Sequence, residues 1–430
     1  MKNIENDMLR PLVADHKGNI FDLEGYAAVG RIGYGNLFSR LFLDDMLPLP
    51  EGSEFMFLPD RHPVLYNLKK QKIEVVVKNP FNKKKPLFPV SVFNSPGFVV
   101  THLSSYKENI KAKPIPLFSY GAAAFFENKF LSPAVQVEWE PRQELRLMPI
   151  AKIKSGIKTF QKKMKNNRLR KHLEKCALVY GCPAAKNFFL KRYEAPLPTS
   201  QFCNANCIGC ISLQKSSPLS SCQERISFTP SPDEIAEIAV EHINNVEKAI
   251  VSFGQGCEGE PLLASDSILP AIKQIRSITK NGTINLNTNA SRPDLLEKLF
   301  NAGLDSIRVS INSFQEKYYN AYFRPKSYKF IDVLKCIEIA NKYEKFVSIN
   351  YLNIPGFTDT PNEINACMNY LNNNTVNMIQ WRNLNIDPLY YYKALKIKEK
   401  PKGIKFMLNL INNEFPKIKF GYFNPPKENF

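Results

Sequence analysis

The chain has 430 residues, 44% of them hydrophobic and 23% charged, with a formal net charge of +18. That length supports a large buried core divided among two or three domains, and no run of 18 apolar residues is present to span a membrane. The excess of lysine and arginine favours anionic partners or substrates.

The N-terminal stretch MKNIENDMLRPLVADHKGNIFDLEG is polar and charged and lacks the apolar segment of a secretory signal, so the cytoplasm is the expected location. Residues 1–148 are rich in Pro, Phe and Val. Short extended runs (FMFLP, IEVVV, FPVSVF, FVVTHL, VQVEWEP) alternate with turn residues and predict a separate, mainly β domain with a few helical pieces. GRIGYG at residues 30–35 lacks a strand–helix frame, which argues against a phosphate loop.

Residues 149–193 read as a basic helical connector, broken near Gly181 and Pro183. From Lys152 to Lys175 the only acid is Glu174, and a shorter run, Lys83 to Lys85, sits in a Pro/Asn loop. Such runs are usually solvated surfaces, and by themselves they carry no base specificity.

From residue 194 to about 395, strand signals alternate with helix signals. KAIVSFGQG, TINLNTN, SIRVSINS, FVSINYLNIPG and VNMIQWRNLN read as strands, with helices between them and Gly303 closing one helix. Parallel strands with crossover helices are implied, and about six βα units make the predicted fold an α/β, partial (β/α)6 TIM-type barrel. Residues 396–430 read as a C-terminal helix and tail.

Nine cysteines stand at positions 176, 182, 203, 207, 210, 222, 257, 336 and 367. An odd count in a long chain without secretory features fits metal binding or catalysis better than a disulfide framework. Cys336 and Cys367 fall in helical patterns and read as small buried hydrophobes. The strongest signal is PTSQFCNANCIGC, with spacing Cys203-x3-Cys207-x2-Cys210 in a loop after a strand. Three thiolates within eight residues can wrap one metal centre and leave an iron with an open position. A structural zinc site would need a fourth ligand, such as Cys222, Cys182 or a histidine, and the spacing does not match paired C-x2-C zinc motifs.

With this triad the sequence resembles the radical SAM superfamily over about residues 194–390. In that family the C-x3-C-x2-C signature binds a [4Fe–4S] cluster, and the fourth iron chelates S-adenosylmethionine. The resemblance therefore implies metal ligands Cys203, Cys207 and Cys210. VSFGQGCEGEPLL is similar to the family's Gly-Gly-Glu-Pro segment: Gly259, Glu260 and Pro261 match, and Glu258 replaces the usual Gly. Glu260 is the implied partner of the cofactor's amino group. Weaker matches place Asn289, Ser310, Asn312 and Ile354 among cofactor-binding residues, with Asn383 or Asn385 facing the cavity. Gly209 stands where the family usually has an aromatic residue beside the adenine, and Phe202 is a candidate substitute.

The resemblance implies an enzyme that reductively cleaves S-adenosylmethionine to a 5′-deoxyadenosyl radical, supplied with electrons by a flavodoxin or ferredoxin. The radical would take a hydrogen atom from a substrate such as RNA or a protein or peptide. The front domain is similar to that of uncharacterised bacterial members and assigns no substrate. Cys257 is expected to line the cofactor cavity. Cys176, Cys182, Cys222 and Cys257 read as unrelated thiols rather than as a second cluster. The competing functions are a non-catalytic basic module with a zinc-stabilised loop and an electron-transfer iron–sulfur protein.

Overall fold

A computed structural model of the protein describes residues 8–82, 85–214 and 219–430. Lys83 and Lys84 of the short basic run, the first seven residues and residues 215–218 lie outside the described residues. The chain forms two compact units. The first joins the residues up to Trp139 with Leu352–Met368 and Trp381–Pro416; the second comprises Glu140–Tyr351, Asn369–Gln380 and Lys417–Phe430.

The first unit is built on short antiparallel strands, as its proline and turn content requires. Strand Arg10–Ala14 pairs antiparallel with Ile20–Asp22, Phe88–Phe93 and Ala124–Phe126. Its burial pattern, exposed only at Arg10, places Val13 in a core with Leu23, Leu65, Val76 and Leu87. The helical piece Pro388–Leu395 is fastened to these strands by one buried polar knot. Arg61 Nη2 lies 3.2 Å from Asp387 Oδ2 and 3.1 Å from Glu108 Oε1. Tyr106 Oη donates to Asp387 Oδ1 at 2.7 Å, and that same oxygen caps the helix by accepting from Leu389 N–H at 2.9 Å. A buried cation of this kind is tolerable only when paired and hydrogen-bonded. GRIGYG is absorbed structurally: Gly356, at φ +87°, approaches the Gly33 backbone so closely that a Cβ would lie 2.3 Å from Gly33 Cα.

The second unit begins with three helices: α1 (Ile150–Lys163), α2 (Arg168–Leu178) and α3 (Pro183–Phe189). Asn167 caps α2 by accepting from Arg170 N–H, and Pro183 starts α3 at a position where a missing N–H costs nothing. The lysines of α1 point outward while Ile153, Ile157 and Phe160 are buried.

The sheet that follows is a partial TIM-type barrel. Seven parallel strands pair in chain order: Glu194–Pro196, Ile250–Phe253, Thr283–Thr288, Ser306–Ile311, Phe346–Asn353, Met378–Asn383 and Lys419–Gly421. The second and third strands are buried at every position, as expected of a parallel sheet with both faces covered. Helix α4 (Pro232–Asn245) opens with a Ser231–Glu234 capping box, and the helix Pro293–Ala302 ends on Gly303 at φ +116°.

Two elements exceed the sequence-based expectation. The C-terminal segment is more than a helix and tail, because Lys419–Gly421 adds a seventh strand beside Met378–Asn383. A further helix, Glu316–Phe323, forms after the fourth strand. Among the described residues no helix is long and apolar enough to cross a membrane.

Candidate active site at the cysteine loop

The loop after the first strand carries Cys203, Cys207 and Cys210, and three neighbouring segments hold it. The strand exits with Leu197 N–H donating to Ser252 O at 2.8 Å. Beyond it, Glu258 acts as a clamp. Its Oε2 accepts from Thr199 and Ser200 N–H at 2.8 and 2.9 Å, and its Oε1 from Gly254 and Gln255 N–H at 2.6 and 2.7 Å. Burial pushes the Glu258 carboxyl up to about 7, while those four N–H groups favour the charged form. The residue that departs from the family pattern thus ties the first-strand exit to the second-strand turn.

Gly259 and Glu260 then run beside the loop, donating to Ser200 O at 2.7 Å and Phe202 O at 2.8 Å. A Cβ at Gly259 would lie 1.9 Å from Phe202 O. The glycine is needed here for the approach of the cysteine-bearing backbone. The third strand contributes a ring of amides: Asn289 Nδ2 donates to Asn204 Oδ1 at 2.8 Å, and Asn204 Nδ2 donates to Ser291 Oγ at 2.9 Å. From the helix Glu316–Phe323, the carbonyls of Tyr322 and Phe323 accept from Ile208 and Asn206 N–H at 3.1 and 2.9 Å.

Two of the three thiols are perturbed by their surroundings. Cys207 is pushed well above its ordinary value by burial and then by Cys203 and Cys210; Cys203 is pushed up to about 11 by burial and then by Glu260. Crowded neutral thiols of this kind become good ligands once a metal displaces their protons. Arg225 supplies a cation, with Nη2 3.7 Å from Cys210 Sγ. A cavity of about 360 Å³ opens on the group, lined by Phe202, Cys203, Cys207, Cys210, Arg225 and Lys326. Three thiols on one loop beside a cavity are a donor set that fits a cluster with one open iron position.

Glu260 is buried beside this group. Its Oε1 accepts from Thr288 Oγ1 and, at 3.1 Å, from Leu262 N–H; its Oε2 accepts from Asn289 N–H at 2.7 Å. Burial pushes its carboxyl up to about 7, and neighbouring Glu258 adds to the rise. Pro261 starts a short helical turn that Glu260 caps.

The remaining predicted residues fall into two groups. Asn289 is bonded directly to Glu260 and to Asn204 of the loop. Ser310 is half-buried on the fourth strand, 3.5 Å from Asn350 Nδ2, and Asn312 is buried and donates to Tyr318 O at 3.1 Å. Ile354 is fully buried in the other unit, where its N–H donates to Thr358 Oγ1 at 2.9 Å. Asn383 is committed to backbone: it accepts from Val100 N–H at 3.0 Å and donates to Phe98 O at 2.8 Å. Phe202 is 69% exposed, whereas Tyr322 is buried and senses Cys207 and Cys210. Cys257 corrects an expectation: its sulfur turns toward α2 and does not line the cavity at the triad. Glu258, Thr288 and Asn204 join the site only in the folded chain; in the sequence Glu258 alone carries a signal, as a charged residue in a glycine position.

Residues 197–366 match the Radical SAM superfamily model. A curated relative, an uncharacterized protein of Methanocaldococcus jannaschii, is 28% identical over 183 residues, which is 42% of this chain and 54% of that protein. The chain therefore spans about half the length of that relative. Among solved structures, anSMEcpe with bound AdoMet is similar at 16% identity and TM-score 0.39, over 53% of this chain and 64% of that one. Streptococcus suis SuiB bound to precursor peptide SuiA is similar at 15% identity and TM-score 0.39, over 72% and 71%. At these scores neither likeness carries functional weight. The matched segment contains the cysteine loop, Glu260 and four complete barrel strands, so this part of the chain is similar to the Radical SAM superfamily model.

Proposed function

We propose that Cys203, Cys207 and Cys210 hold the [4Fe–4S] cluster and that Glu260 receives the amino group of S-adenosylmethionine. The observation that carries this reading is the placement of the buried Glu260: its N–H donates to Phe202 O, just before Cys203, and its Oε2 accepts from the N–H of Asn289, whose side chain holds Asn204, just after Cys203. When bound, the cluster supplies the electron that cleaves S-adenosylmethionine to methionine and a 5′-deoxyadenosyl radical.

The chain's own residues position and shield. Glu258 and Gly259 fix the path of the cysteine loop. Thr288 and Asn289 orient Glu260, and its Oε2 accepts from Asn289 N–H alone among the described residues. That oxygen keeps acceptor capacity for an ammonium group, and a charge-assisted bond there is stronger than a neutral one. Arg225 offsets negative charge at Cys210. Asn204, the residue after Cys203, is held by Asn289 and Ser291 at the end of the third strand.

The substrate is unassigned, and RNA competes with a protein or peptide for the role. The exposed lysines of α1 and α2 support an anionic one, although Lys163, Arg168 and Lys175 pair with Glu241, Glu234 and Glu224. RNA binding that falls steeply with added salt supports the nucleic-acid version, and no RNA affinity at low salt removes it. For the enzyme reading, anaerobically reconstituted protein is reduced and supplied with S-adenosylmethionine; 5′-deoxyadenosine forms, and it does not form after Cys207→Ala.

A further inference from the structure

The connector and the second-strand loop bring together three side chains that the cysteine loop does not use. His172 and Cys176 lie four residues apart on α2 and so share a face. His172 Nε2 is 3.4 Å from Cys176 Sγ. Cys257, from the loop after the second strand, completes the group: the three donor atoms all lie within 4.8 Å of one another. Cys176 and Cys257 are 1% and 5% exposed, so solvent does not compete at the sulfurs. Two buried thiols alone would be unremarkable, but an imidazole nitrogen converging on the same point is a ligand set. We propose that His172, Cys176 and Cys257 bind one zinc ion, at a site separate from Cys203, Cys207 and Cys210.

The geometry fits that ion. Zn–S bonds of about 2.3 Å and Zn–N bonds of about 2.0–2.1 Å in a tetrahedron place neighbouring donors about 3.4–3.8 Å apart. His172 and Cys176 already stand at that separation. The fourth position falls to Cys182 or to water. Cys182 N–H donates to Cys176 O at 2.9 Å, which folds the turn after α2 back upon the site, and its thiol interacts with those of Cys176 and Cys257. A cavity of about 370 Å³ lined by Lys171, His172, Tyr180, Arg225 and Phe228 gives access from the histidine side. Binding releases the thiol protons to solvent. The ion ties α2 to Cys257, three residues before Glu260, and so fixes the connector to the loop that bears the proposed cofactor contact. A Cys176–Cys257 disulfide is the competing chemistry, and it gives His172 no role.

The test uses the full chain with Cys203→Ala, Cys207→Ala and Cys210→Ala, which removes the ligands of the other site. Purified anaerobically and stripped with chelator, it is titrated with cobalt(II) and then zinc(II), with circular dichroism confirming that it is folded. The expected result is one cobalt per chain with thiolate-to-metal charge-transfer and tetrahedral ligand-field bands, displaced by one equivalent of zinc. His172→Ala lowers cobalt affinity at least tenfold, Cys176→Ser removes charge-transfer intensity, and Cys222→Ser changes neither. Folded protein that takes up no stoichiometric metal, or a Cys176–Cys257 disulfide in the anaerobic preparation, overturns the site. So does cobalt affinity unchanged by His172→Ala, which decides the matter even if Cys176→Ser does not fold.

Discussion

Glu258→Gln keeps the size of a side chain whose carboxylate joins two loops. Glu258 now accepts four backbone N–H bonds, two on each oxygen, all at 2.6–2.9 Å. A glutamine presents one oxygen and one NH2 group, so two of those N–H donors must face another donor. Each buried donor left unsatisfied costs about 1–3 kcal/mol, giving about 2–6 kcal/mol for the pair. The cost falls on the local opening of residues 199–200 or 254–255, because the rest of the unit keeps its contacts. Hydrogen exchange of the apo protein reads it directly. Amides in these two segments exchange at least about thirtyfold faster in the variant, while those of α4 change little. The same splaying moves Phe202 and Cys203, so iron retained after reconstitution falls. Unchanged exchange at residues 199–200 and 254–255, with full iron content, would refute the clamp.

Other substitutions probe neighbouring links. Gly259→Ala sets a Cβ 1.9 Å from Phe202 O, so the backbone must shift; overpacking and lost hydrogen bonds cost about 2–4 kcal/mol, read as a lower denaturation midpoint and poor cluster retention. Glu260→Gln leaves the iron content unchanged but weakens S-adenosylmethionine binding by about ten- to a hundredfold, the loss of a charge-assisted bond, as measured by equilibrium dialysis. Asp387→Ala takes one of two carboxylate partners from the buried Arg61 and the acceptor from Tyr106, and costs the first unit about 3 kcal/mol in urea unfolding. His242 is held down to about 4 by burial, its Nε2 lying 3.1 Å from Tyr193 O. The unfolded chain therefore binds the proton first, and stability is lost as pH falls from about 6.5 toward 4, by about 3 kcal/mol at the limit. His242→Gln flattens this limb in urea unfolding at pH 7 and pH 4.5, and an identical pH dependence in the two proteins would contradict it.

The parts of the fold and site that were legible in the sequence are those written in short-range pattern. The cysteine spacing, the alternation of strands with helices and the Gly303 helix end are local signals, and each has a counterpart in the structure. What escaped depends on distant partners. The clamp on Glu258 reaches 58 and 59 residues back to Ser200 and Thr199, and Asn204 meets its partners 85 and 87 residues on. No periodicity records such pairings. Asn383 reads as a cavity residue until its bonds to the backbone of Phe98 and Val100 are seen. Cys257 follows the same rule: its place within a cofactor-like segment implied one direction, and the packing of α2 against the second-strand loop gave it another. The strand Lys419–Gly421 is too short for alternation to reveal, and the parallel partner Met378–Asn383 defines it.

The central claim is that Cys203, Cys207 and Cys210 hold a cluster that cleaves S-adenosylmethionine. The most direct measurement is 5′-deoxyadenosine formed by the anaerobically reconstituted, dithionite-reduced protein, with iron determined on the same sample. The account predicts a brown protein with about four iron atoms per chain at these cysteines, producing 5′-deoxyadenosine and methionine, and a colourless, inactive protein after Cys203→Ala, Cys207→Ala and Cys210→Ala. Iron bound equally well by that triple variant, or a fully loaded wild-type cluster that leaves S-adenosylmethionine intact on reduction, would contradict it.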